Sequence, residues 1–362
     1  MQKIKIAIDI SPTLDGNSIR GVGYYTQNLI AALQKEISTN PNYKNWSIDL
    51  IENCKLKIEN YDLIHYPYFD PFKLTLPKHH QPTVVTVHDL IPIQFKNHFP
   101  AGIKGKIKWL IQKNRLQHVS KILTVSEYSR QIISKIVKYP LKNIAVTHLA
   151  ADSSFKPIDD PVFLKTIKEK YHLPNKFVLF VGDINWNKNI PNLVRACKKL
   201  KFPLVIVGSA AVKTDVPDHP WTKDLRWLQS KSSSPVNQRT RRLILTGFVS
   251  DKELPAIYNL ATVYCQPSFA EGFGLPLVQA MQSGCPVAYG QDTSLPEVMD
   301  SVGLSFNPRS IESIASILKK FWTNPKLCRS QKILGLARAR NFKWSNTAQK
   351  TLALYSSILF HE

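Results

Sequence analysis

Acidic residues are scarce in this chain. Only 26 Asp and Glu stand against 48 Lys and Arg, a net charge of +22 over 362 residues. Such a balance points away from cationic partners and toward an acidic one: nucleic acid, an anionic membrane or a phosphorylated substrate. Cysteine is sparse too. Cys54, Cys197, Cys265, Cys285 and Cys328 are odd in number, scattered and without metal-ligand spacing, so neither a disulfide framework nor a structural metal is expected. No apolar run approaches the roughly 18 residues of a membrane span. The N-terminal MQKIKIAIDIS alternates like a strand rather than a signal peptide, which makes the cytoplasm the expected location. Repeats, low-complexity tracts and the signatures of helix-turn-helix, zinc-finger or RNA-binding modules are all missing.

The positive charge is unevenly spread. Residues 96–142 hold 11 Lys or Arg and a single acid, Glu127, a net +10. Within them Ile103, Ile107, Leu110 and Ile111 recur at helical spacing beside Trp109, with Lys104, Lys106, Lys108, Lys113 and Arg115 interspersed. Two readings stay open: a solvated basic face over an ordinary core stripe, or an interfacial helix on anionic lipid at the inner face of the membrane. Nucleic acid is the weaker third, for want of a matching motif.

Strand and helix patterns alternate along the whole chain, which predicts parallel sheets covered by helices on both faces. A first run places strands over 3–9, 47–51, 63–65, 83–88, 121–125 and 143–149, with a glycine loop through Gly16, Gly21 and Gly23 before a helix from about residue 24. A second run opens with a strand over 177–182 and continues with strands over 203–208, 243–246, 262–266 and 286–289. Residues 212–240, polar and rich in Ser and Lys, read as a surface excursion. The predicted organisation is an N-terminal domain over 1–155, a linker over 156–174, a C-terminal domain over 175–342, and a final helix over 343–362 that rejoins the first domain.

The most informative segment is FAEGFGLPLVQAMQSGCP, residues 269–286. It joins two predicted strands by a loop and a short helix over about 275–283. Pro276 suits the first turn, Leu277, Val278, Ala280 and Met281 supply a buried side, and Gly284 suits a left-handed end. The helix start, following Glu271, Gly272 and Gly274, makes a plausible phosphate cradle. Ligands of open parallel sheets gather beyond the carboxyl ends of strands, so the loops at 11–23, 88–89, 183–189 and 270–274 are the candidate site, two in each domain.

These segments carry a family resemblance. EGFGLPLVQAMQSGCPV resembles the E-G-F-G-L-P-x-x-E-A-M-A-x-G-x-P-V pattern of GT-B glycosyltransferases of the family 4 type, and GVGYYTQNL, TVVTVHDLIP, LTVSEYSR, FVGDINWNKN and LTGFVSDKELPAIYNLA precede it in family order. The resemblance implies two Rossmann-like, doubly wound parallel-sheet domains facing a central cleft. It also implies a retaining, metal-independent hexosyltransferase, moving mannose or glucose from a nucleotide diphosphate sugar to a glycan or lipid-linked acceptor. The nucleotide sugar is a co-substrate and no cofactor is implied.

Residue by residue, the resemblance assigns Glu271 to the donor sugar, with Phe273 and Gly274 holding neighbouring hydroxyls through backbone N–H groups and Leu275 facing the phosphates or ribose. Lys188 neutralises the diphosphate as the leaving nucleotide gains charge. His88 lies against the donor sugar, Gly21 and Gly23 approach the phosphates and acceptor, and Val249 lies where the base is read by backbone. The segment departs from its pattern at Gln279 and Gln282, and DINWNKN departs at Asp183. The family's second glutamate is Gln279 here, which keeps a carbonyl acceptor for the ribose but loses its charge. An arginine often found five residues before the lysine is Asp183, expected to orient Lys188 or cap a turn. These departures leave open a catalytically weakened sugar-nucleotide-binding or scaffold protein. The charge leaves open a basic nucleic-acid-binding protein.

Overall fold

The computed structural model describes residues 3–14, 21–52, 58–78, 81–233 and 242–360. Cys54, Gly16 with the rest of residues 15–20, and residues 234–240 of the 212–240 excursion lie outside them. The chain divides into two units, residues 1–149 with 343–362 and residues 150–342. Each holds one six-stranded sheet, and every strand pairing is parallel.

In the first unit the strands are β1 (Ile4–Asp9), β2 (Trp46–Ile51), β3 (Leu63–Tyr66), β4 (Thr83–Thr86), β5 (Lys121–Thr124) and β6 (Ile144–Val146), in the order β2-β1-β3-β4-β5-β6. β3 and β4 are buried along their whole length, as strands covered on both faces must be. One face packs Ala7, Ile64, Val85 and Ile122 against Leu116, Ile133 and Val137. On the helix Gly21–Thr39, Tyr25, Leu29 and Leu33 are buried, and on the last helix, Trp344–Leu359, Ala348, Leu352 and Tyr355 are. The helix Glu127–Val137 is capped by Ser126, whose hydroxyl accepts from the Ser129 amide at 3.0 Å.

The second unit orders its strands β12-β11-β10-β7-β8-β9. They are β7 (Val178–Val181), β8 (Leu204–Val207), β9 (Leu243–Gly247), β10 (Val263–Gln266), β11 (Val287–Gly290) and β12 (Leu304–Phe306). The chain runs from β7 outward through β8 and β9, then returns to the other side of β7 to lay down β10, β11 and β12. Strand order therefore reverses between β7 and β10, and the loops that leave these two neighbours sit side by side.

Four expectations need correction. Gly21 and Gly23 open the helix Gly21–Thr39 instead of preceding it in a loop. Residues 156–174 carry the helix Pro161–Lys170, capped by Asp160 and tied to the second unit where Tyr171 donates to Glu253 at 3.0 Å, so they are part of that unit rather than a linker. The 212–240 excursion includes the helix Lys223–Ser232, whose Leu225 and Leu228 enter the core of the second unit. Finally, the stripe Ile103, Ile107, Leu110 and Ile111 is not a core stripe: on the helix Gly102–Leu116 the buried positions are Gly105, Gln112 and Leu116.

Candidate active site

Beyond the ends of β7 and β10 the second unit builds a compact polar cluster. Asn189 has left-handed backbone (φ 54°), and its side-chain amide donates to the carbonyls of Pro267 at 2.9 Å and Pro308 at 2.7 Å. Asn187 accepts from the Phe269 amide at 2.8 Å and donates to Ala270 at 2.9 Å. These bonds lock the β7 loop to the β10 loop and, through Pro308, to the segment after β12. Each is made by an asparagine of DINWNKN, of which the sequence reading singles out only Asp183 and Lys188.

The locked loops bring Lys188 to Glu271. The ammonium lies 2.8 Å from both carboxylate oxygens, and the Glu271 side chain is only 8% exposed. Ser268 and Gln266 each donate to Glu271 Oε1 at 2.6 Å. Tyr264 donates in turn to Gln266 Oε1. The Glu271 amide donates to Thr293 Oγ1 at 3.0 Å, and its carbonyl accepts from Ser294 at 2.9 Å. A buried carboxylate so fully engaged is fixed in place. Asp183 is exposed, and the carboxylate that orients Lys188 is Glu271.

The helix Leu275–Gln282 starts two residues past Phe273, itself buried. Gly274 precedes it with φ 95°, and a Cβ there would come within 2.9 Å of Leu295. Glycine is thus required twice over, by backbone and by space. The positive end of the helix dipole follows directly on the Glu271 loop. Gln279 sits on this helix, buried, its Oε1 accepting from Tyr258 at 3.2 Å. Burial raises the Tyr258 phenol well above its ordinary value, so it stays protonated and donates. One lone pair of the carbonyl assigned to the ribose is therefore already occupied. Tyr258 belongs to LTGFVSDKELPAIYNLA but escapes sequence reasoning, because its partner lies 21 residues away. Val249 is buried just past β9, next to an exposed Phe248.

The first unit holds the remaining predicted residues. His88 follows β4 by two residues, half-buried, with Nε2 3.1 Å from the Pro67 carbonyl at the end of β3. A carbonyl only accepts, so Nε2 carries the proton and Nδ1 is the unprotonated nitrogen. Withdrawal of the ring from water lowers its pKa to about 4 against the opposing pull of the Pro67 bond. The imidazole is neutral at physiological pH. Tyr25 packs edge-on to it, ring centroids 4.7 Å apart, and Gly23 is buried two residues earlier on the same helix; Gly21 is exposed.

Behind His88 lies a polar chain with no counterpart in the sequence reading. His65 is fully buried on β3, with Nδ1 2.6 Å from the Tyr355 hydroxyl and Nε2 2.8 Å from Thr86 Oγ1; Thr86 also meets the Tyr25 hydroxyl at 3.1 Å. Burial, then repulsion from His88, lowers His65 to about 3.

Comparison with known proteins fits this arrangement. Residues 165–334 match the glycosyl transferases group 1 family, and residues 38–155 match Glycosyltransferase Family 4. The chain is 29% identical to the O-antigen chain mannosyltransferase B of Escherichia coli, over 83% of this chain and 80% of that protein. Its fold is similar to that of sucrose-phosphate synthase from Thermosynechococcus elongatus (TM-score 0.75, 18% identity, 99% of this chain and all of that one). Anabaena HepE, solved in complex with UDP-glucose, is also similar in fold (TM-score 0.72, 16% identity, 98% of this chain and all of that one).

Proposed function

Because the chain belongs to the GT-B glycosyltransferases of the group 1, family 4 type, we propose that it transfers a hexose, mannose by its likeness to the O-antigen enzyme, from a nucleotide diphosphate sugar to a glycan or lipid-linked acceptor. The observation that carries the donor assignment is the Lys188–Glu271 pair beside the Gly274 helix start, at the strand-order reversal of the second sheet. In this reading Glu271 accepts hydrogen bonds from the sugar hydroxyls. The Lys188 ammonium turns to the diphosphate and offsets the charge that grows as the glycosidic bond breaks, without a metal ion. Phe273, Gly274 and Leu275 line the sugar and phosphates, Gln279 offers its second lone pair to the ribose, and Val249 reads the base. His88, Gly21 and Gly23 belong to the acceptor-binding unit, where a neutral imidazole serves as a hydrogen-bonding group rather than a charge.

Retention of anomeric configuration is part of the proposal. The buried carboxylate at the site, Glu271, already accepts from Ser268, Gln266 and Lys188, and so is poorly placed to act as a nucleophile. A front-face route suits such a site: the bond from the anomeric carbon to the phosphate oxygen breaks, the acceptor oxygen attacks on the same face, and its proton passes to the departing phosphate.

A thermal-shift panel of uridine, guanosine and adenosine diphosphate hexoses tests the donor assignment. Donor at a hundredfold its Kd should stabilise the chain by about 2.7 kcal/mol, a rise of several degrees. Glu271→Gln and Lys188→Ala should abolish the rise, and Gln279→Glu should tighten binding. No shift with any donor, or a shift unaltered in Glu271→Gln, would overturn the assignment.

A further inference from the structure

Among the described residues the first unit displays an apolar stripe that no core explains. On the helix Gly102–Leu116, Ile103 is 79% exposed, Ile107 53%, Leu110 66% and Ile111 38%. At about 3.6 residues per turn these four fall on one face, opposite the buried face of Gly105, Gln112 and Leu116. The buried face is anchored: Gln112 donates to the Lys73 carbonyl at 2.6 Å and Arg115 to the Leu76 carbonyl at 2.7 Å. The helix therefore has no freedom to roll its isoleucines inward.

Charge frames the stripe. The same helical geometry sets Lys106 and Lys113 along one border and Lys104 and Lys108 along the other, and the helix contains no acid. Single exposed apolar residues are ordinary, but a contiguous row along the outermost line of a helix, bordered by cations, calls for a partner that is oily in the middle and anionic at its rim. A bilayer interface with acidic headgroups has that profile, with acyl chains for the isoleucines and headgroups for the lysines. A nucleic acid would want the cations at the centre of the contact, where here there are Ile and Leu.

We propose that the helix Gly102–Leu116 is a monotopic docking face for an anionic membrane, lying in the interface plane with Ile103, Ile107 and Leu110 inserted among the acyl chains. This extends the proposed function by setting the acceptor-binding unit on the surface where a lipid-linked acceptor resides. It stands apart from the donor chemistry, so the two fail separately.

The full chain should co-sediment with phosphatidylcholine vesicles containing one-third phosphatidylglycerol and not with phosphatidylcholine alone, and salt should weaken the binding. Replacing Ile103, Ile107 and Leu110 together by Ser should weaken it at least about tenfold, and each of Lys104→Gln, Lys106→Gln and Lys108→Gln about fivefold. These side chains are exposed or lie at the rim, so the melting temperature and its response to donor should stay at the wild-type values. Absence of binding to the anionic vesicles, or undiminished binding by the triple Ser variant, overturns the proposal. So does a wild-type dimer that the triple variant abolishes, which assigns the stripe to a second copy. Affinity for duplex DNA exceeding that for the vesicles and indifferent to the Ser changes overturns it in favour of nucleic acid.

Discussion

At the scale of single residues, two buried polar systems work in opposite ways. Around Glu271 a carboxylate is paired with an ammonium and held by two further side-chain donors. Around His65 a ring is held neutral between two hydroxyls, and its folded pKa of about 3 lies far below the ordinary 6.5. The consequence for stability has a definite sign. Above pH 6.5 the ring is neutral folded or unfolded and stability does not depend on it. As pH falls below 6.5 the unfolded chain takes up a proton that the folded chain refuses, so stability declines until the folded pKa is reached. His65 should contribute a slope of about 1.4 kcal/mol per pH unit across that window. His88 adds a smaller slope of the same sign down to about 4, discounted because its ring is only half-buried. Urea midpoints between pH 7.5 and 5 should show the decline in wild type and a clearly shallower one in His65→Gln. Parallel profiles would remove His65 from the account. Nothing local in LIHY announces this histidine, because its partner Tyr355 lies 290 residues away.

Elements were legible in the sequence to the extent that periodicity and punctuation decide them. The strands read from apolar alternation and runs all appear, and 269–286 folds into β10's loop, a helix Leu275–Gln282 and a left-handed Gly284 as its turn residues require. What periodicity does not reveal is which face of a helix is buried. The spacing of Ile103, Ile107, Leu110 and Ile111 identifies a helix correctly, yet the core beneath it is met by a glycine, a glutamine and a leucine. A Cβ at Gly105 would stand 2.9 Å from the Ala101 Cβ, and the Gln112 amide satisfies a loop carbonyl that an apolar residue would strand. Gly274 is the converse case, an element boundary its sequence does declare. Gly274→Ala must place a Cβ 2.9 Å from buried Leu295 at a φ of 95°, at a cost of about 1–3 kcal/mol. Because the strain falls on the loop carrying Glu271, donor affinity should drop with stability. Calorimetry and donor titration on the same variant would test this, and a Gly274→Ala protein as stable as wild type would refute it.

At the scale of the whole molecule, the chain leaves the first unit at residue 149 and returns to it only at 343. The returning helix is not an ornament of that unit. It buries Ala348, Thr351, Leu352 and Tyr355, closes the His65 chain through the Tyr355 hydroxyl, and donates from Thr347 to the His148 carbonyl at 2.6 Å. Each large apolar side chain so buried is worth about 1.5–3 kcal/mol. A domain's entire margin is about 5–15 kcal/mol, so losing Leu352, Tyr355 and with it a hydrogen-bond partner of a buried imidazole removes a large share of it. The second unit has its own core, in which Val178, Phe180, Val263, Leu318 and Phe321 pack together. Deleting residues 343–362 should therefore strip amide-exchange protection from β1 to β6 and leave that of β7 to β12 at its wild-type level. Hydrogen exchange followed by peptide mass spectrometry reads the two sheets separately. Protection surviving in β1 to β6 would show that the first sheet holds without its last helix. Protection lost from both sheets would show that the units fold as one cooperative body, and either result would sink the prediction.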